Sequence, residues 1–189
     1  SKFGVDKIDK VEKEKLLHYF VKIETSGKNL LSLLNNLLDL SKLESGQMEY
    51  KMLHKDLSQI NKKIIKEFDS LINEKGIILE IAERSLPTEA ICDEYKIDQV
   101  IRNLLSNAIK FTPSGKRVYI SFSEGSLPLG NDDFNKGTIP TIVTSIKDEG
   151  VGVPEYELET IFDKFVQSSK TKTAAGGTGL GLAICKEII

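Results

Sequence analysis

The sequence predicts an α+β fold: a two-layer α/β sandwich, with helices on one face of a mixed sheet, preceded by a long bundle-forming helix. Three observations predict it. Residues 5–44 carry apolar positions at helical spacing almost without a break. The remainder alternates short period-two segments with longer 3.6-period ones, and a glycine-rich run opens the last helical stretch. The order reads long helix, then strand–helix–strand–strand–helix–strand–strand–helix–helix.

In the long helix, Leu16, Phe20, Ile23, Gly27, Leu30, Leu34, Leu37 and Ser41 alternate spacings of four and three, the seam of a coiled coil or bundle. Leu17, Val21, Leu31 and Leu38 widen that stripe and favour a multi-helix bundle. At roughly 60 Å by helix rise, such a helix is too long to be covered by its own domain. Its expected partner is a second copy, giving a homodimer, or a helical segment outside this chain. Gly46 ends it, and Met48, Tyr50 and Met52 alternate as a first short strand. Asp56 is positioned to cap a helix from Leu57 to about Glu74, with Ile60, Ile64, Phe68, Leu71 and Ile72 as its core stripe and Gly76 as its stop. Strands are expected at Ile77–Ala82 and Glu89–Cys92.

The stretch Asp93–Phe111 is the centre of the sequence. Ile97, Val100, Ile101, Leu104, Leu105 and Ala108 form its core stripe, while Asn103, Asn107 and Lys110 fall together on a neighbouring face. Two carboxamides and an ammonium on one side of a half-buried helix suit a phosphate with its metal ion; a solvated polar edge is the plain alternative. A turn at Thr112–Gly115 leads to a strand at Lys116–Ser123, a loop at Gly125–Gly137 and a strand at Thr141–Lys147. Pro154 suits the first turn of a short helix reaching Phe162. Ser168–Gly177 lacks apolar periodicity and is expected to be a mobile loop, and Thr178–Ile189 a final helix.

The chain has 189 residues, 40% hydrophobic and 29% charged, enough for one full domain plus an extension. A net charge of −2 does not suggest a general nucleic-acid binder. Cys92 and Cys185 lie alone in apolar surroundings, which reads as reduced thiols in a cytoplasmic protein. No apolar run approaches 18 residues, so no membrane contact is expected of this stretch, and an anchor elsewhere in a longer parent stays open.

Two glycine motifs carry the remaining chemistry. Asp148-Glu149-Gly150-Val151-Gly152 follows a strand, where an aspartate can accept a hydrogen bond from an amino group and the glycines let backbone approach a flat ring. Gly176-Gly177-Thr178-Gly179-Leu180-Gly181-Leu182 would present backbone N–H groups and a helix N-terminus to an anion. It is neither a P-loop, lacking the spacing and its lysine, nor a dinucleotide fingerprint, lacking a preceding strand.

Together these residues resemble the catalytic ATP-binding domain of the sensor histidine kinases of two-component systems, in the Bergerat-fold group. N-L-L-S-N-A-I-K-F is similar to that family's N box, D-E-G-V-G-V to its G1 box, I-F-D-K-F to its F box and G-G-T-G-L-G-L to its G2 box. Leu37–Gly46 resembles the end of the second helix of the dimerisation domain. The resemblance implies residues 1–46 as a partial dimerisation domain and residues 47–189 as the catalytic domain, shortened at its C-terminal side. It implies ATP and Mg²⁺ as cofactors. Asp148 would bind the adenine amino group, with Gly150, Gly152 and Val153 of the same box at the ring. Asn107 would ligate Mg²⁺, Asn103 would be a second polar contact to it, and Lys110 would meet phosphate, these three forming the catalytic set. Phe111 would lie near the nucleotide, Phe162 and Phe165 would anchor the lid (or be plain core aromatics), and Gly177, Thr178, Gly179, Leu180 and Gly181 would wrap the phosphates. Gln167 stands where many relatives place a basic residue.

Related hydrolytic ATPases place a glutamate base where Asn103 stands; a carboxamide cannot activate water that way, which argues for transfer to a protein group. The family's acceptor histidine motif is absent: His18 and His54 both lack its context. The expected partners are therefore ATP, an acceptor-histidine segment outside this chain and the receiver domain of a response regulator. A weakly catalytic nucleotide-binding or dimerisation scaffold is the alternative.

Overall fold

The computed structural model describes residues 13–82, 86–129, 137–171 and 177–189. Helix α1 spans Lys13–Glu44, about 48 Å at the standard rise. Gly46, at φ 65°, ends it, with the Gly46 and Gln47 N–H groups bonding back to the carbonyls of Leu43 and Lys42. Residues 1–12, the start of the expected helix, lie outside the described residues.

The first strand is not at Met48–Met52. The Lys51 N–H is taken by the Asp93 carboxylate at 2.8 Å, so the ladder begins two residues later, with strand β1 at Leu53–Asp56. Helix α2, Leu57–Lys75, follows directly. Asp56 caps it by accepting from the Ser58 N–H, and Gly76 closes it in the left-handed region. Ile60, Ile64 and Ile72 are buried as the spacing predicts, whereas Leu71 is exposed.

Strands β2 (Ile78–Ile81) and β3 (Glu89–Cys92) precede helix α3, Glu94–Phe111. Its cap is Asp93, whose carboxylate accepts from the Tyr95 and Lys96 N–H groups. These bonds, with that from Lys51 the strongest, hold the Asp93 carboxyl below the usual range. Strands β4 (Arg117–Pro128) and β5 (Thr138–Asp148) form a long hairpin, from Val118 opposite Asp148 to Pro128 opposite Thr138. The expected loop at Gly125–Gly137 is thus strand in its first four residues, Gly125 to Pro128, and the second strand begins at Thr138, three residues before the expected Thr141, because the cross-strand ladder continues to Pro128 opposite Thr138. Residues 130–136 lie outside the described set. The helix expected from Pro154 is instead two 3₁₀ turns, Glu155–Glu157 and Thr160–Phe162. The last helix, α4, is Gly181–Ile188 and starts three residues later than expected, because Gly179 at φ 68° breaks the helical path.

The fold is the predicted α+β arrangement with a mixed sheet, β2 parallel and β5 antiparallel to the central β4. Among the described residues β1 and β3 form a separate antiparallel pair. Helices α2 and α3 cover one face, and their shared core includes Ile64, Leu105, Ile109, Val118 and Ile120, all fully buried. The Arg102 guanidinium also ties the two helices, bonding both Glu67 oxygens at 2.6 and 2.9 Å as well as the Asp98 carboxylate. Leu105→Ala would leave a cavity at the centre of this core. It is expected to cost about 3 kcal/mol, seen as a lower urea midpoint at unchanged slope.

Helix α1 docks through its C-terminal third. Leu40 is buried against Leu180 and Ile184, with Leu33, Leu37, Leu43 and Ile188 packed around them. Of the rest of its apolar stripe, Leu17, Phe20, Ile23, Leu30 and Leu34 are exposed. No described helix is long and apolar enough to cross a membrane.

Candidate functional site

Helix α3 places Asn103, Asn107 and Lys110 along one half-buried flank. The Lys75 ammonium secures the end of this helix by donating to the carbonyls of Ile109 and Lys110 at 3.0 and 2.9 Å. Burial pushes the Lys110 ammonium below the usual lysine range, and the nearby charge of Lys75 adds to the effect. The Lys110 Nζ sits 4.9 Å from the Phe111 ring centroid.

Beside this flank lie two adjoining cavities of about 220 Å³ each. They share Asn107, Phe111, Ile161, Ser168, Thr171 and Leu182, so Asn107 stands, with these five, at the boundary between the two. The first lobe is polar. Asn103, Ser106, Lys110 and Gln167 line it together with Gly177, Thr178, Gly179 and Gly181, and Asn36 of α1 completes the wall. The second is mostly apolar, lined by Leu104, Ala108, Ile146, Val151, Gly152 and Val153, with Asp148 the carboxylate among its described lining residues.

Local backbone chemistry fixes both lobes. The Asp148 Oδ1 accepts the Gly150 N–H at 2.9 Å. A Cβ on Gly150 would lie 2.5 Å from that oxygen and 2.8 Å from the Phe111 carbonyl oxygen, so only glycine lets the turn close on α3. In the polar lobe, a Cβ on Gly179 would fall 2.7 Å from the Phe165 carbonyl carbon. The Phe165 N–H donates to the Gly179 carbonyl at 2.9 Å, and the Gln167 amide donates to the Gly177 carbonyl at 2.6 Å. Asn103 donates to the Gly181 carbonyl at 3.3 Å, joining α3 to the start of α4.

Most of the expected site residues thus converge. Asn103, Lys110, Gly177, Thr178, Gly179 and Gly181 line the polar lobe, Asp148, Gly152 and Val153 the apolar lobe, and Asn107 and Phe111 both. Four do not line either. Gly150 lies beneath Asp148; Leu180 is fully buried against α1; Phe162 and Phe165 are 38% and 60% exposed. Residues 172–176, including Gly176 and part of the expected mobile loop, lie outside the described residues. Sequence reasoning did not single out Asn36, Ser106, Ile161, Ser168, Thr171 or Leu182. Ser106, Ile161 and Leu182 stood inside recognised motifs and could have been read from them. Asn36 carried no such signal, being 67 positions before Asn103 (103 − 36).

The arrangement suits a ligand with a flat apolar end bearing an N–H donor and an anionic end near a cation and backbone amides. The fit to a metal ion is that of a phosphate-borne one: no cluster of three His, Cys, Asp or Glu is found among the described residues, while two carboxamides flank the polar lobe. Fold and site define a nucleotide-binding α+β module. Residues 92–189 match the family described as histidine kinase-, DNA gyrase B- and HSP90-like ATPases, and the chain belongs to that family. Within it, the chain is similar to catalytic ATP-binding domains of sensor histidine kinases. It is 33% identical over 166 residues to the autoinducer 2 sensor kinase/phosphatase LuxQ of Vibrio vulnificus (strain YJ016), covering 87% of this chain and 18% of that protein. It is 38% identical over 168 residues to the hybrid signal transduction histidine kinase D of Dictyostelium discoideum, covering 88% and 10%. Full-length ShkA, solved in complex with AMPPNP, superposes with a TM-score of 0.71 at 27% identity, over 96% of this chain and 35% of that one. The chain therefore spans less than a fifth of the length of these two curated relatives.

Proposed function

We propose that this chain binds ATP with Mg²⁺ and donates the γ-phosphoryl group to a histidine on a segment outside it, for relay to an aspartate in a response-regulator receiver domain. One observation carries the reading: Asn107 stands between a lobe holding Asp148 and a lobe holding Lys110 and the glycine-loop backbone. In this reading the Asp148 carboxylate accepts from the adenine amino group, and Gly152 and Val153 lie against the ring. Lys110 and the backbone of Thr178–Gly181 hold the phosphates. Asn107, assisted by Asn103, holds Mg²⁺, which when bound neutralises charge on the phosphates. Asn103 supplies no base, so water is not activated by this side chain.

Neither His18 nor His54 lines either lobe, which supports an acceptor elsewhere. The exposed stripe of α1 supports homodimer formation, and the need for ATP supports a cytoplasmic setting. The test supplies a separate acceptor-containing fragment of the parent kinase with labelled ATP and Mg²⁺. Label on the fragment's histidine is the expected result. ATP binding without transfer would leave the scaffold reading in its place.

A further inference from the structure

We propose that Asn36, on α1 and outside the glycine and asparagine motifs, reads the terminal phosphate of the bound nucleotide and so makes the site prefer ATP to ADP. The inference rests on the ATP reading above. Asn36 is half-buried and lines the polar lobe together with Asn103, Lys110, Gln167 and Gly177. It does not line the lobe that contains Asp148. A nucleotide seated with its base at Asp148 places its phosphates in the lobe whose wall Asn36 shares with Lys110, and the last phosphate, which ADP lacks, is the one farthest from the base-side lobe that Asn36 does not line.

Asn36 is fixed there by the docking of α1. Asp39 and Leu40, three and four residues on, share its helix face. Leu40 is 3% exposed against Leu180 and Ile184, and the Asp39 carboxylate accepts from the Gln99 amide at 3.2 Å. At the end of the same helix Glu44 pairs with Lys164. Leu180 lies between Gly179 and Gly181, so the helix that presents Asn36 also holds the end of the glycine loop. A carboxamide suits the position: its NH₂ donates to a phosphate oxygen, and it carries no charge to repel one.

The test titrates ATP and ADP, each with Mg²⁺, into the whole chain and into Asn36→Ala, Asn36→Asp and Asn36→Lys, at low and high salt. Asn36→Ala is expected to weaken ATP about fivefold and Asn36→Asp about tenfold or more, whereas Asn36→Lys tightens it. ADP affinity stays within about twofold throughout, and the two charge effects shrink with salt. Leu40→Ala, which loosens both α1 and the Leu180 end of the glycine loop, is expected to weaken ATP and ADP together and to erase most of the further ATP-specific effect of a second change at Asn36. In the single Asn36 variants, ATP and ADP shifting together, or neither shifting, overturns this proposal while a wild-type chain that binds ATP keeps the functional reading. A wild-type chain that binds no ATP overturns both.

Discussion

Asp148→Asn is expected to lower ATP affinity by about a hundredfold or more while leaving the urea midpoint nearly unchanged. The reason lies in how the carboxylate is shared. One oxygen already accepts the Gly150 N–H at 2.9 Å, which leaves the other to accept from a ligand amino group. With asparagine at this position, the single carbonyl oxygen would remain with Gly150, and the NH₂ would face the adenine amino group, donor against donor. The substitution therefore loses a charge-assisted bond and leaves two donors unpaired once the ligand covers them, together about 3 kcal/mol. The fold should not suffer, because Asp148 is exposed at the end of β5 and is not part of the core. Calorimetry with and without Mg²⁺ measures the loss. Undiminished binding would remove Asp148 from the site and with it the assignment of the apolar lobe to the base.

Much of this site could be read from the chain because its parts are local. Asp56 and Gly76 bracket α2, and Asp93 starts α3, by capping chemistry that acts close to each helix end. The period of α3 then fixes Asn103, Asn107 and Lys110 on one flank before any packing is known. What the sequence left hidden depends on contacts between distant segments. Met48–Met52 alternates like a strand, yet Asp93, 42 positions beyond Lys51, claims the Lys51 N–H. The residues near Gly125 look like loop, yet Val143 and Thr141 of β5 hold them in a ladder. Phe162 and Phe165 stand in a recognised motif but line neither lobe, and Asn36 enters the wall of one only because Leu40 docks on Leu180. Periodicity identifies the face of a helix; it does not identify what that face meets.

Asn107→Ala is expected to reduce transfer to a supplied acceptor histidine by about a hundredfold or more, while metal-free ATP binding changes only a few-fold. The side chain lines both lobes, and on the shared flank of α3 with Asn103 and Lys110 its carboxamide oxygen is placed to serve an ion carried by the phosphates. Asn103 cannot replace it fully, since its bond to the Gly181 carbonyl holds the side chain at the join between α3 and α4, a helical turn away from the place of Asn107. Alanine favours the helix, and the buried stripe of Ile101, Leu105 and Ala108 is untouched, so a folding defect is not expected. Two readouts separate the role of Asn107 from that of a lining residue. If it holds the ion, the gain in ATP affinity on adding Mg²⁺ disappears in the variant, and transfer falls with it. If it only lines the cavity, affinity drops equally with and without Mg²⁺ and transfer at saturating ATP survives. The second pattern would move the metal contact to Asn103 and leave the order of the two lobes, base at Asp148 and phosphates at Lys110, as it stands.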